Sequence, residues 1–174
     1  MQVKSVIILI VCCYCMTAMI FAGNDENKPD TLVIENLTVQ KGQPVTVNVS
    51  FINDQQLAAL TIPLKITGDG FTIDTVLFSD GRVNYLRMRP ITISKDRQSV
   101  IFGAICMTEA YIQPGTGLMA TLILKTDSSF TGACVIDTTT MGPSSVLFTK
   151  ANSHSFIPLV KSATITVSDS VQKK

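Results

Sequence analysis

A chain of 174 residues, 46% of them apolar, holds enough material for one domain with a substantial core, whereas two full domains of roughly 100–200 residues each would need more. Fourteen Lys and Arg against thirteen Asp and Glu leave a net charge of +1, too little for the long-range field that recruits a polyanion, which argues against nucleic acid as a partner. Charged residues make up 16%, below the usual ~25%, and small hydroxyl and amide residues are plentiful, a balance of extracellular β-proteins.

The N-terminal residues have the layout of a secretory signal peptide. Within Met1–Ala22 a single cation, Lys4, precedes the apolar run Val6–Ala22, and the chain then turns polar at Asn24-Asp25-Glu26-Asn27-Lys28-Pro29-Asp30. The expectation is a signal peptide over residues 1–22, cut after Ala22 or Gly23, then a polar spacer over 23–30 and a secreted, extracellular or periplasmic product. The alternative is an uncleaved anchor, since the run approaches the ~17–25 residues that span a bilayer; membrane contact would then pass through this segment alone. Cys12, Cys13 and Cys15 lie inside the run without the Leu-small-small pattern of a lipoprotein cleavage site. That leaves Cys106 and Cys134, either a disulfide or two buried thiols acting as small hydrophobes. With one histidine they do not make a four-ligand zinc site.

Beyond the spacer the chain reads as short β-type runs bounded by Gly, Pro, Asn or Asp. Over Pro44–Asn53, Val45, Val47, Val49 and Phe51 alternate with Thr46, Asn48 and Ser50, the pattern of a half-buried antiparallel strand. Leu57–Thr67 repeats it, with Leu60, Ile62, Leu64 and Ile66 on one face and Thr61, Pro63 and Lys65 on the other. Its internal proline predicts an edge or a bulge, and its polar face is expected to meet solvent or a partner. Further strands are predicted over 31–39, 71–78, 90–94, 98–107, 117–126, 133–138, 145–149 and 155–167, the last closing with Ala163–Val167. Breakers at Lys41-Gly42, Gly68-Asp69-Gly70, Asp80-Gly81, Pro114-Gly115-Thr116-Gly117 and Met141-Gly142-Pro143 separate them. The spacing predicts an all-β, nine- to ten-stranded jelly-roll β-sandwich over 31–168, with 169–174 a frayed tail.

No catalytic set is legible. His154, in Asn152-Ser153-His154-Ser155, lacks any HExxH or GxSxG context and reads as a surface loop residue. Asp69, Asp74, Asp80, Asp96 and Glu109 fall at or near turns, where such side chains cap backbone groups. Thr67-Gly68-Asp69-Gly70 and Phe78-Ser79-Asp80-Gly81 each offer one carboxylate where a calcium loop needs several. With no Trp, and with Tyr85 and Tyr111 the tyrosines beyond the signal segment, a polysaccharide platform could only be a shallow one around Tyr85, Arg87 and Arg89. Arg82–Arg89 (RVNYLRMR) is the most basic stretch. It reads either as an interface, where Arg and Tyr are enriched, or as an edge whose charges discourage aggregation. Asn36-Leu37-Thr38 and Asn48-Val49-Ser50 match the glycosylation sequon, which matters only in a host with the machinery.

In this order and spacing the segments resemble the cohesin-like family within the broader group of carbohydrate-binding-module-like β-sandwiches. Val39-Gln40-Lys41-Gly42-Gln43-Pro44-Val45-Thr46-Val47 is similar to the family's entry into its second strand, and Asn53–Ile66 (NDQQLAALTIPLKI) to its third. Phe71–Phe78 (FTIDTVLF) parallels the segment after that, and Ile112–Leu124 (IQPGTGLMATLIL) resembles the G-x-G-x-L-A-T-L strand before the closing hairpins. The resemblance spans almost the whole chain after the spacer. It implies a nine-stranded jelly roll, a non-enzymatic role and a sheet face that grips a dockerin-like protein, with no cofactor of its own and calcium on the partner. The polar parity of Leu57–Thr67 and the Arg and Tyr of Arg82–Arg89 make Thr61, Lys65, Arg82, Tyr85, Arg87 and Arg89 the candidate partner-binding side chains. Where dockerin-binding members place Asn and Asp on the third strand, this chain has Ala58, Ala59 and Leu60. The alternative from the wider group is a carbohydrate-binding module acting in polysaccharide attachment or breakdown.

Overall fold

The alternating segments become strands in a computed structural model that describes residues 29–169. The expected signal segment 1–22, the spacer up to residue 28 and the tail residues 170–174 lie outside the described residues. Among the described residues there is no helix, and the strands in chain order are β1 (Thr31–Ile34), β2 (Leu37–Gln40), β3 (Val45–Asn53), β4 (Leu57–Thr67), β5 (Phe71–Leu77), β6 (Ile91–Ile93), β7 (Ser99–Ile105), β8 (Gly115–Thr126), β9 (Gly132–Thr138), β10 (Leu147–Lys150), β11 (Ser155–Phe156), β12 (Leu159–Lys161) and β13 (Ala163–Ser168). They form two sheets. One has the order β12-β1-β3-β8-β5; the other gathers β11, β10, β4, β9, β13 and β2, with β7 on β4 and β6 on β7.

The side-chain period of two decides which residues hold the sheets together. Val45, Val47, Val49 and Phe51 of β3 face Leu60, Ile62, Leu64 and Ile66 of β4 in one core, each of them at most 2% exposed. Edge-to-face ring pairs join the layers, Phe51 with Phe148 at 6.1 Å and Phe78 with Phe102 at 6.2 Å. Such pairs add about 0.5–1.5 kcal/mol each to the burial of their surface.

Two predicted strands are divided because the chain changes sheet. Segment 31–39 breaks at Glu35-Asn36 into β1 and β2, which lie in different sheets. The crossover is held by the Glu35 amide donating to Asn48 O at 3.0 Å and the Thr164 amide donating to Asn36 Oδ1 at 2.7 Å. Segment 155–167 becomes β11, β12 and β13, and Pro158, with no N–H to give a ladder, sits at its first crossing. The two split segments meet again in parallel, β1 on β12 and β2 on β13.

β4 is central rather than at an edge. β7 pairs with it from Ala59 to Lys65, while its other side is shared by β10, at Leu57–Thr61, and β9, at Leu64–Thr67. Pro63 falls in the gap between β10 and β9, where its missing donor interrupts nothing, and its carbonyl accepts from the Thr139 amide at 3.1 Å.

Among the described residues no strand pairs with the outer side of β5. Its first half is closed by the β6–β7 turn. Arg97, at φ 57°, donates through Nε to Ile73 O and through a terminal nitrogen to Asp74 O, both at 2.6 Å. Gln98 Nε2 reaches Phe71 O at 2.8 Å. Side chains here satisfy backbone groups that an open edge would offer to another chain.

Candidate functional site

With Leu60, Ile62, Leu64 and Ile66 in the core, Ala59, Thr61, Pro63 and Lys65 of β4 lie on the opposite parity, and the registers of its neighbours place further side chains beside them. One row across the outer face reads Met88, Ile105, Ala59 and Thr149. The next reads Gly103, Thr61 and Leu147, then Thr92, Ile101 and Pro63. The last reads Ser99, Lys65 and Asp137, a cross-strand pair of opposite charge at the end of the patch. The centre is thus apolar and uncharged, and hydroxyls surround it.

Gly103 hollows this surface. A Cβ there would lie 2.5 Å from the carbonyl oxygen of Leu60, so glycine is required. Over it lies an open hollow of about 370 Å³ bordered by Thr61, Pro90, Thr92, Ile101, Ile105 and Ser144, among others.

One end of the face is bounded by two loops stitched together. Tyr85 Oη donates to Ala110 O at 3.1 Å, and the Ile105 amide to Met88 O at 3.0 Å. The amides of Met107 and Thr108 donate to one oxygen of Glu109 at 3.1 Å and the Arg87 amide to the other at 3.2 Å. Its own backbone N–H first, and then these donors, hold the Glu109 carboxyl down at about 2. The stitched loops expose Tyr85, Met88, Met107 and Tyr111.

The six side chains singled out from the sequence do not form one cluster. Thr61 and Lys65 lie on the outer face, and Tyr85 at its end. Arg87 and Arg89 stand on the flank, bordering a groove with Val76–Ser79. Arg82 is an internal strut. One terminal nitrogen donates to Asn53 Oδ1 at 3.0 Å and Gly115 O at 2.9 Å, and the other to Gln113 O at 2.5 Å. Its guanidinium also sits 4.4 Å from the centre of the Phe51 ring, and burial lowers its pKa.

The patch residues that sequence reasoning passed over are Ile101, Gly103, Ile105 and Leu147. The signal for the first three was in Ser99–Ile105 (SVIFGAI), which is apolar at both parities. Such a run marks a strand covered on both faces.

The disulfide between Cys106 and Cys134 is not made; both thiols are free. The Cys106 amide donates to Ala58 O at 2.8 Å, whereas Cys134 lies against Gly68. Ten residues of extended chain separate those positions, ~33 Å at ~3.3 Å per residue, against the ~7 Å Cα limit of a disulfide. Burial pushes the Cys134 thiol up to about 11. His154 is exposed in the β10–β11 turn, where its amide donates to Asn152 Oδ1 at 3.1 Å.

No protein-family model matches the sequence, and no curated protein matches it. Solved structures do. A chain of the Coh-OlpA–Doc918 type I cohesin–dockerin complex from Clostridium thermocellum superposes with a TM-score of 0.68 at 12% identity, covering 81% of this chain and 100% of that one. The seventh ScaB type I cohesin of Pseudobacteroides cellulosolvens gives 0.66 at 15% identity over 83% and 96%. A non-cellulosomal cohesin from the archaeon Archaeoglobus fulgidus gives 0.62 at 10% identity over 81% and 92%. The fold is that of cohesin domains.

Proposed function

We propose that this cohesin-fold chain is a non-catalytic module that binds a helical, dockerin-like protein through the outer face of β10, β4, β7 and β6. The observation that carries the reading is the apolar, uncharged centre around Ala59, Ile101 and Ile105 inside a ring of hydroxyls, the composition of an interface core with its polar rim. β4 and β7 have neighbours on both sides, so a partner must grip side chains and not the backbone. A helix about 10 Å wide spans two to three strands spaced ~4.8 Å apart, and the hollow over Gly103 has room for one projecting apolar side chain. That cohesin–dockerin complexes are among the similar structures supports the same class of partner. The layout of residues 1–22 supports a secreted or envelope-held protein.

The test is capture of partners from the host's secreted proteins, and of dockerin modules, by the folded domain with and without a calcium chelator. Thr61→Trp, which fills the centre of the face, is expected to abolish a capture that the wild-type domain performs. Capture that survives Thr61→Trp, or retention on glycans with no protein captured, would overturn the assignment.

A further inference from the structure

The flank of the sandwich carries a second feature, independent of the outer face. Arg97 and Gln98 close β5 only as far as Asp74. Beyond them Val76, Leu77 and Phe78 border a groove of about 360 Å³ whose far wall is Arg87 and Arg89. Leu77 is 46% exposed there.

Among the described residues, neither guanidinium donates a hydrogen bond to a carboxylate. Arg89 lies 5.5 Å from the centre of the Phe78 ring. The Arg87 side chain, 91% exposed, comes no nearer than 3.9 Å to Glu109, whose oxygens already accept from three amides. Asp80, next in the chain to the groove residue Ser79, accepts from Ser79 Oγ at 3.4 Å. Two cationic forks therefore face an apolar wall and a strand edge that has no partner strand among the described residues. Phosphate or sulfate alone would use the forks but not the wall or the edge. An extended peptide uses all three: edge strands add a further strand, and arginine binds carboxylates with two parallel hydrogen bonds.

We propose that this groove docks an extended acidic segment of a protein partner, laid along the open half of β5, with its carboxylates on Arg87 and Arg89 and an apolar side chain against Leu77. The experiment is an immobilised array of acidic octapeptides with interspersed Leu and Val, each with a Lys-for-Glu counterpart, probed with the folded protein. A subset of acidic peptides is expected to bind, at least tenfold more weakly to Arg87→Glu/Arg89→Glu and to the charge-neutral Arg87→Gln/Arg89→Gln. Thr61→Trp is expected to bind them as wild type does, so failure here and failure of the outer face are separable. An array on which no acidic peptide distinguishes wild type from the double variants would overturn the proposal. So would a sulfated oligosaccharide that binds the groove more tightly than every peptide.

Discussion

On the five-stranded sheet, β3 turns Thr46, Asn48 and Ser50 outward beside Thr121 of β8, and Asp74 and Lys125 pair at 2.6 Å. Apolar side chains on that side stand singly. Ile123 lies between Thr46 and Thr75, and Leu118 beside Ser50. On the other sheet the apolar residues are neighbours, with Ile105 between Met88 and Ala59 and Ile101 beside Pro63. Isolated apolar residues are ordinary on a soluble surface, while contiguous ones call for a cover. The difference lies in adjacency across strands and not in composition, which is why the second face reads as the one that docks.

The core beneath both faces is shared, so the largest effects should not distinguish them. Phe51→Ala and Phe102→Ala, one in each sheet, are each expected to lower unfolding free energy by about 3–5 kcal/mol in urea titrations. A much smaller loss for one would mean that its sheet is not held by the common core. Arg82→Met should remove about 2 kcal/mol, since it strips hydrogen bonds from Asn53, Gln113 and Gly115. Capture per folded molecule should not change; weaker capture would return Arg82 to the interface. The direct contrast between faces is Thr61→Trp against Asn48→Trp. The first should weaken partner capture at least tenfold, about 1.4 kcal/mol, and the second leave it alone; equal effects would erase the distinction. The smallest effect concerns the loops bounding the outer face. The Glu109 carboxyl titrates lower folded than unfolded, so its stabilisation is present above its ordinary range near 4.5 and is lost as pH falls towards about 2. Glu109→Gln should flatten that part of the acid limb of stability against pH, and an unchanged limb would refute the role given to the backbone amides.

Strand alternation made β3, β4 and β13 legible from the sequence to within a residue or so, because each buries one parity of side chains against the core. The splits at Glu35-Asn36 and around Pro158 were not legible. A change of sheet leaves local alternation intact and shows only in which partner each half finds. Pro63 pointed to an edge because its missing donor normally needs one. No local signal announces that two shorter strands meet end to end beside it. Thr61 and Lys65 were found on the face through the polar parity of β4. The apolar patch beside them escaped a search for charged and aromatic groups, and Arg82, conspicuous as a charge, proved to be committed internally.

The parallel pairing of β1 with β12 and of β2 with β13 gives the domain a direction in which it resists load. Tension drawn between residues 30 and 169 pulls these paired strands past each other lengthwise, so their rungs share the force and must yield together. A pull applied across the β10–β11 hairpin opens its rungs one after another. Stretched along its own chain, the sandwich is therefore stiff where its first two strands lie beside its last two, and the outer face of β4 and β7 stays intact while those seams hold.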